Sequence, residues 1–277
     1  MYMDAMQPKQ RSQLRIFLGK KYYRLKRSIH WYVGQEHYAK ARASEGLKYD
    51  VFTHQTVLLR QLKDVDMWLQ HNKVKNLTIA AKRLSGILIK PGETFSYWKL
   101  IGNTTKRKGY VDGMILHYGK VTTGTGGGLC QLSNLIYWMV LHSPLTVTER
   151  YRHSYDVFPD SKRSQPFGSG ATCSYNYLDL QFNNDTNQTF QLNVEVTDTH
   201  LVGHILSDVP TLHRYKIYEK NHRLSQAHWG SYLRHNQLYR KVYNASGEEL
   251  RDEYVTENHA IMMYDPFLQS PETSDFC

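Results

Sequence analysis

Between residues 124 and 133 the chain reads Gly124-Thr125-Gly126-Gly127-Gly128-Leu129-Cys130-Gln131-Leu132-Ser133, and an uncharged run from Asn134 to Leu141 follows. Four glycines within five positions are costly inside a helix or strand, so a loop must lie there. The apolar residues that follow recur at helical spacing, and Pro144 lies just past them, so the loop opens into a helix ending near His142. Cys130 then falls in the first turn. A helix start carries unpaired N–H groups and partial positive charge. That setting lowers a thiol pKa and favours the reactive thiolate. The same N–H groups, from Gly126, Gly127, Gly128 and Gln131, suit an oxyanion. Cysteine is also among the most buried residue types, so plain packing is the competing reading. Residue chemistry leaves both open. No Gly-Lys-Ser/Thr follows the glycines, and three of them are contiguous, so neither nucleotide-loop pattern is matched.

The chain is 277 residues long, enough for one large unit or two modest ones. A net charge of +10 points to anionic partners: nucleic acid, lipid headgroups or wall polymers. The charge gathers at the start, in Lys9, Arg11, Arg15, Lys20, Lys21, Arg24, Lys26 and Arg27, interleaved with Leu14, Phe17, Leu18, Tyr22, Tyr23, Leu25 and Trp31. Such a segment packs as a helix on the rest of the protein or lies peripherally on an anionic membrane surface. Tyr215, Tyr218, His222, Arg223 and Trp229 interleave bases and aromatics. No helix-turn-helix, finger or RNP-like pattern accompanies them, so no specific nucleic acid is expected. Three distant cysteines, Cys130, Cys173 and Cys277, make no disulfide framework or metal-type pair; neither metal nor cofactor is expected. Cys173 reads as a core residue on a strand. With no signal peptide and no apolar run of about 18 residues, the expected location is cytoplasmic or peripheral at the inner membrane face. Nothing in the sequence sets the oligomeric state.

Coarse periodicity predicts helices over 10–45, 50–72 and 75–89, strands over 94–98 and 111–121, and the cysteine helix over 130–142. Strands follow over 146–153 and 171–182, a hairpin over 189–207, and two strand pairs beyond residue 211, with Asn244-Ala245-Ser246-Gly247 as a turn. Helices first, then strands with one helix inserted, is an α+β order. The expected architecture is N-terminal helices followed by a mainly antiparallel sheet with one central helix carrying the cysteine. The expected division is a basic helical segment over 1–49, a central domain over 50–206, and a β-rich extension over 207–277 packed on the same unit.

A nucleophilic thiol needs a base. His142 lies about 18 Å along the helix from Cys130, too far to serve. His153, on the predicted strand, is better placed, with His117 and Tyr151 next. On that strand Arg150 and Arg152 share one face, where paired guanidiniums suit a carboxylate or phosphate.

Several motifs occur together and in order: Pro91-Gly92-Glu93-Thr94-Phe95-Ser96, Gly109-Tyr110, Gly126-Gly127-Gly128-Leu129-Cys130-Gln131-Leu132-Ser133, Glu149-Arg150, His153-Ser154, Ala171-Thr172 and Asp179-Leu180-Gln181-Phe182-Asn183-Asn184. In these the chain resembles the VanW family over about residues 50–206. The resemblance implies a role in the Gram-positive envelope and in glycopeptide resistance. Some multidomain members look like L,D-transpeptidases that work through a cysteine thioester. Carried onto this chain, that makes Cys130 the nucleophile and His153, within Arg-x-x-His-Ser, the base. Arg150, Ser133, Ser154 and Thr172 become candidate contacts to a peptidoglycan peptide or precursor. The competing implication is a non-catalytic accessory protein that binds such precursors or an anionic membrane surface. The family often places an aspartate before Ala-Thr; here that position is Gly170.

Overall fold

Ser12 starts helix α1, Gln13–Val33, its hydroxyl accepting the Arg15 N–H at 3.4 Å. This helix opens a computed structural model that describes residues 11–59, 66–117, 119–157 and 165–267, the side chain of His117 excepted. Lys9 and Cys277, named above, fall outside the described residues, as do residues 60–65 of the predicted helix over 50–72 and residues 158–164.

After α1 come β1 (His37–Tyr38), β2 (Tyr49–Val57), α2 (Met67–Leu84), β3 (Ile87–Ile89), β4 (Glu93–Ser96) and α3 (Tyr97–Ile101). A hairpin, β5 (Asp112–His117) and β6 (Lys120–Thr125), leads into α4 (Cys130–Leu141). Then follow β7 (Thr146–Glu149), β8 (Tyr155–Asp156), β9 (Gln181–Asn183), β10 (Phe190–Val196) and β11 (His200–Ser207). Three long strands, β12 (Arg214–Gln226), β13 (Tyr232–Tyr243) and β14 (Glu249–Met262), close the described chain.

The strands make three four-stranded sheets, ordered β1-β4-β9-β7, β2-β11-β10-β3 and β12-β13-β14-β8, besides the β5-β6 hairpin. Among these pairings only β1 with β4 and β14 with β8 are parallel. The architecture is α+β, with a mainly antiparallel sheet system around one central helix that starts at the cysteine.

That helix is the core of the molecule. From Leu132 to Leu141 every residue except Asn134 is buried. Each large apolar side chain so enclosed contributes roughly 1.5–3 kcal/mol. Strand β11 alternates, with Leu201, Gly203 and Ile205 inward. At Gly203 the helix passes so close that a Cβ would meet the Met139 side chain at 2.6 Å. Helix α2 lays Leu77, Ala80, Ala81 and Leu84 into the same core and is capped by Ser85.

Several sequence expectations are corrected. Residues 49–57 are a strand, not a helix: their β-branched Thr53, Thr56 and Val57 pair along β11. The first helix stops at Val33, because Gly34 leaves helical geometry. The second stops at Leu84, and 87–89 is a strand pairing with β10. Residues 111–121 double back as two strands. The strand over 146–153 ends at Glu149, and of 171–182 only the last two residues are strand, in β9, Gln181–Asn183. The C-terminal strands form one meander rather than two pairs. No helix among the described residues is long and apolar enough to cross a membrane.

Candidate functional site

Helix α2 builds the glycine loop from beneath. Asn76 donates from Nδ2 to the carbonyls of Gly127 (2.9 Å) and Val111 (3.0 Å), and its Oδ1 accepts the Val111 N–H at 2.9 Å. One side chain thus ties the loop to the start of the hairpin. At Gly127 a Cβ would meet the Gly113 carbonyl carbon at 2.2 Å, so two backbones touch there. Gly128 has φ +88° and faces the Lys73 side chain, which a Cβ would meet at 2.3 Å. The glycines serve close approach, and Gly127 and Leu129 are buried. The loop is clamped rather than free.

Four of its N–H groups are committed as well. Gly126 donates to Val111 O, Gly127 to Gly124 O, Gly128 to Met114 O and Gln131 to Gly128 O, at 2.8–3.2 Å. The expected oxyanion site at Gly126, Gly127, Gly128 and Gln131 is therefore already filled by protein carbonyls. The Gln131 side chain is engaged too, donating at 2.9 Å to Thr56 Oγ1 and to Val57 O. It pins β2 to the head of α4.

Cys130 stands at the first position of α4, as its sequence context implied. Burial pushes its thiol pKa up, and backbone N–H groups of Cys173 and of Cys130 itself only partly offset this. Enclosure outweighs the helix start, which corrects the expected lowered pKa. Cys173 lies beside it, both thiols being free. Burial raises the Cys173 thiol further, the Cys130 charge adds to that, and a hydrogen bond with Ser133 opposes it. Sequence reasoning made Cys173 a strand residue in the core; the fold makes it the neighbour of Cys130 in an irregular segment. Tyr97, fully enclosed, donates from its hydroxyl to Leu129 O at 3.0 Å, just before the cysteine.

The remaining predicted contacts divide. Ser133 is wholly buried and donates to Ala171 O at 2.8 Å, so it fastens α4 to the 171–173 segment. Arg150 donates from Nε to Gly170 O (2.9 Å), from Nη2 to Gly168 O, and from Nη1 and Nη2 to Asn258 Oδ1 (3.1 Å each), with Thr256 Oγ1 at 3.5 Å. Every N–H of its fork is used to join the 168–170 turn to β14, so it holds protein rather than a substrate carboxylate. Thr172 N–H donates to Tyr151 O at 2.8 Å, while its hydroxyl is buried without a partner. Ser154 is exposed, its carbonyl accepting the Ile261 N–H at 3.0 Å.

His153 is partly enclosed; burial, then the nearby Arg150 charge, push its pKa down to about 4. The groups that shift Cys130 are burial and two backbone N–H groups, with no imidazole among them. Residues 150–154 are irregular, so strand alternation of Arg150 with Arg152 does not apply. Tyr151 is exposed, and the His117 side chain lies outside the described residues. The Gly170 position is filled by a neighbour. Asn134 Oδ1 accepts the Ala171 N–H at 2.8 Å and sits 2.6 Å from where a Gly170 Cβ would be.

A second set of motif residues meets on the other side of Asp179. Buried Asp179 accepts from Ser96 Oγ (2.5 Å), the N–H groups of Trp98 and Leu180 (2.9 Å each) and Gln181 Nε2 (3.1 Å). Burial nonetheless raises its carboxyl pKa to about 6. Its own N–H donates to Glu149 Oε1 at 3.2 Å, and Glu149 pairs with Arg27 of α1. Gln181 and Glu149 then line a polar cleft of about 470 Å³, completed by His30, Glu36, His37 and Thr94 with Gly92, Thr148 and Asn183. That volume suits a small ligand. Its walls are hydrogen-bonding side chains with two carboxylates. The sequence signal was present in the two motif runs 91–96 and 179–184, but their meeting across β4 and β9 depends on the sheet. Among the described residues no three His, Cys, Asp or Glu side chains gather as a metal would require.

Comparison with known proteins bears on the same residues. The family described as "VanW like protein" matches residues 72–206. A protein of Enterococcus faecalis named "Vancomycin B-type resistance protein VanW" is 40% identical over 195 residues, covering 69% of this chain and 71% of that one. The "Uncharacterized protein YoaR" of Bacillus subtilis is 34% identical over 116 residues, 41% of this chain and 36% of that one. No solved structure matches.

Proposed function

Because this chain belongs to the VanW-like family, we propose that it serves glycopeptide resistance as an accessory protein that binds a peptidoglycan peptide or its precursor. The observation that carries this reading is the cleft between α1 and the β1-β4-β9-β7 sheet, walled by two family motifs. Glu36, exposed at the cleft, favours a ligand with a free amine, such as the diamino-acid residue of a stem peptide; Glu149, already paired with Arg27, shapes the wall beside it. Thr94, Gln181 and Asn183 offer both donors and acceptors to a peptide backbone. The glycine loop, Gln131, Ser133 and Arg150 are engaged with other parts of the protein and hold its framework. Calorimetric titration with a soluble muropeptide pentapeptide tests it. Glu36→Gln with His37→Ala, both at exposed positions, should weaken binding about ten-fold. Absence of binding to any stem peptide overturns the proposal.

A second reading keeps Cys130 as nucleophile, favoured by the two backbone N–H groups at its sulfur and the unpartnered Thr172 hydroxyl. In that reaction the sulfur bonds to a peptide carbonyl carbon, the C–N bond breaks, and the thiol proton leaves on the departing amine. Mass spectrometry after incubation with a tetrapeptide donor distinguishes the two. An adduct on Cys130 that is lost in Cys130→Ala supports acyl transfer. Unchanged binding in Cys130→Ala, with no adduct, supports the accessory role.

A further inference from the structure

Helix α1 presents two faces of different character. The inner face is fastened: Trp31 is buried, Arg24 Nε donates to Tyr175 O at 2.8 Å, Arg27 pairs with Glu149, and Lys99 Nζ donates to Trp31 O at 2.6 Å. The outer face carries Leu14, Leu18, Tyr22, Leu25, Ile29 and Tyr32, spaced by three or four residues and therefore in one stripe. All six are exposed, Leu18 by 56%, Leu25 by 62% and Tyr32 by 82%. Leaving one such side chain in water is ordinary, but six in a row on one helix are not. Arg15 and Lys26 border the stripe on one side and Lys21 on the other, and the helix contains no Asp or Glu.

We propose that this stripe is a membrane-docking surface that lays α1 flat on a bilayer rich in anionic lipid headgroups. The apolar and aromatic side chains enter the boundary between headgroups and acyl chains, and the bordering cations meet lipid phosphates. The charge pattern selects this occupant. A second copy of the chain packed through the same stripe would bring Arg15, Lys21 and Lys26 against their own kind, and like charges at an interface oppose association. Nucleic acid would satisfy the cations and leave the six apolar side chains in water. An anionic bilayer satisfies both. The fastened inner face keeps the helix from turning its stripe inward. The inference is independent of what the cleft binds.

The test is co-sedimentation of the full chain with vesicles of phosphatidylcholine, with and without about one-quarter phosphatidylglycerol. Binding to the anionic vesicles and marked weakening in high salt are expected. Lys21→Glu with Lys26→Glu should weaken partition at least about ten-fold, as each surface cation contributes about five-fold. Leu18→Glu with Leu25→Glu should abolish it, while Leu212→Glu, at an exposed position outside α1, should leave it unchanged. Circular dichroism and the denaturant midpoint report that each variant is folded. Equal binding to neutral vesicles, or none to anionic ones, overturns the proposal. So does a dimer in solution that Leu18→Glu with Leu25→Glu converts to monomer.

Discussion

At Cys130 two local fields oppose each other. The helix start and two backbone N–H groups favour the thiolate, while enclosure among Tyr97, Leu129 and Cys173 favours the thiol. Enclosure dominates, because a buried charge loses its hydration and a few N–H dipoles replace only part of it. At neutral pH the resting thiolate fraction is therefore below that of a free cysteine. Iodoacetamide labelling of the folded protein, read by peptide mass mapping, should be slower at Cys130 than at a cysteine peptide. It should accelerate only above the ordinary thiol range, with Cys173 reacting later still. Fast labelling of Cys130 with a midpoint below that range would contradict the enclosure.

At the scale of elements, α4 is positioned by contacts at both of its ends. At its head, Asn76 of α2 and the backbone of β5 grip the glycine loop, and Gln131 grips β2. At its foot, His142 stacks on Phe52 with ring centroids 4.1 Å apart. Gly127→Ala forces the loop off the Gly113 backbone and should cost roughly 3 kcal/mol, as other overpacked sites do. Gly92→Ala, at φ +75° with open space around it, should cost only the roughly 1–2 kcal/mol of left-handed backbone. Denaturant midpoints of the two variants measure the difference. Equal midpoints would mean that the loop yields.

Over the whole molecule, protonation of enclosed histidines governs acid stability. Burial pushes the pKa values of His142 and His153 down to about 4. The unfolded chain binds those protons near the ordinary histidine value, so the stabilisation is complete at neutral pH and is lost as pH falls from about 6.5 towards 4. At pH of about 5 each ring forfeits roughly 1–2 kcal/mol. Asp179 works the other way. Its raised pKa of about 6 makes its contribution greatest below about pH 4 and lost as pH rises through 6. These two rings, with His54 and His235 shifted the same way by burial, outweigh one carboxyl and leave net acid sensitivity. The denaturant midpoint should fall between pH 7 and 5, and His142→Phe, which keeps the stack on Phe52, should reduce that fall. An unchanged pH dependence in the variant would exclude His142 as a source.

Cys130 at the head of a buried helix, the α+β order, the hairpin over 189–207 and the family were legible in the sequence, because glycine clustering, apolar period and motif order are local properties. The basic N-terminal helix was legible for the same reason, though not which of its faces packs and which is exposed. Which way a side chain points once the chain is closed is not local. Arg150 read as a carboxylate clamp, yet all its donors face Gly168, Gly170 and residues of β14 more than 100 positions away. The glycines read as a flexible oxyanion loop, yet the carbonyls of Val111, Met114, Gly124 and Gly128 take its N–H groups, and β5 and α2 fill its spaces. Residues 49–57 read as helical until β11, some 150 residues later, supplied the hydrogen bonds that make them a strand. Residue types and spacings set which groups were available. Long-range packing decided which were enclosed, since desolvation and hydrogen-bond satisfaction depend on neighbours brought near only by the fold.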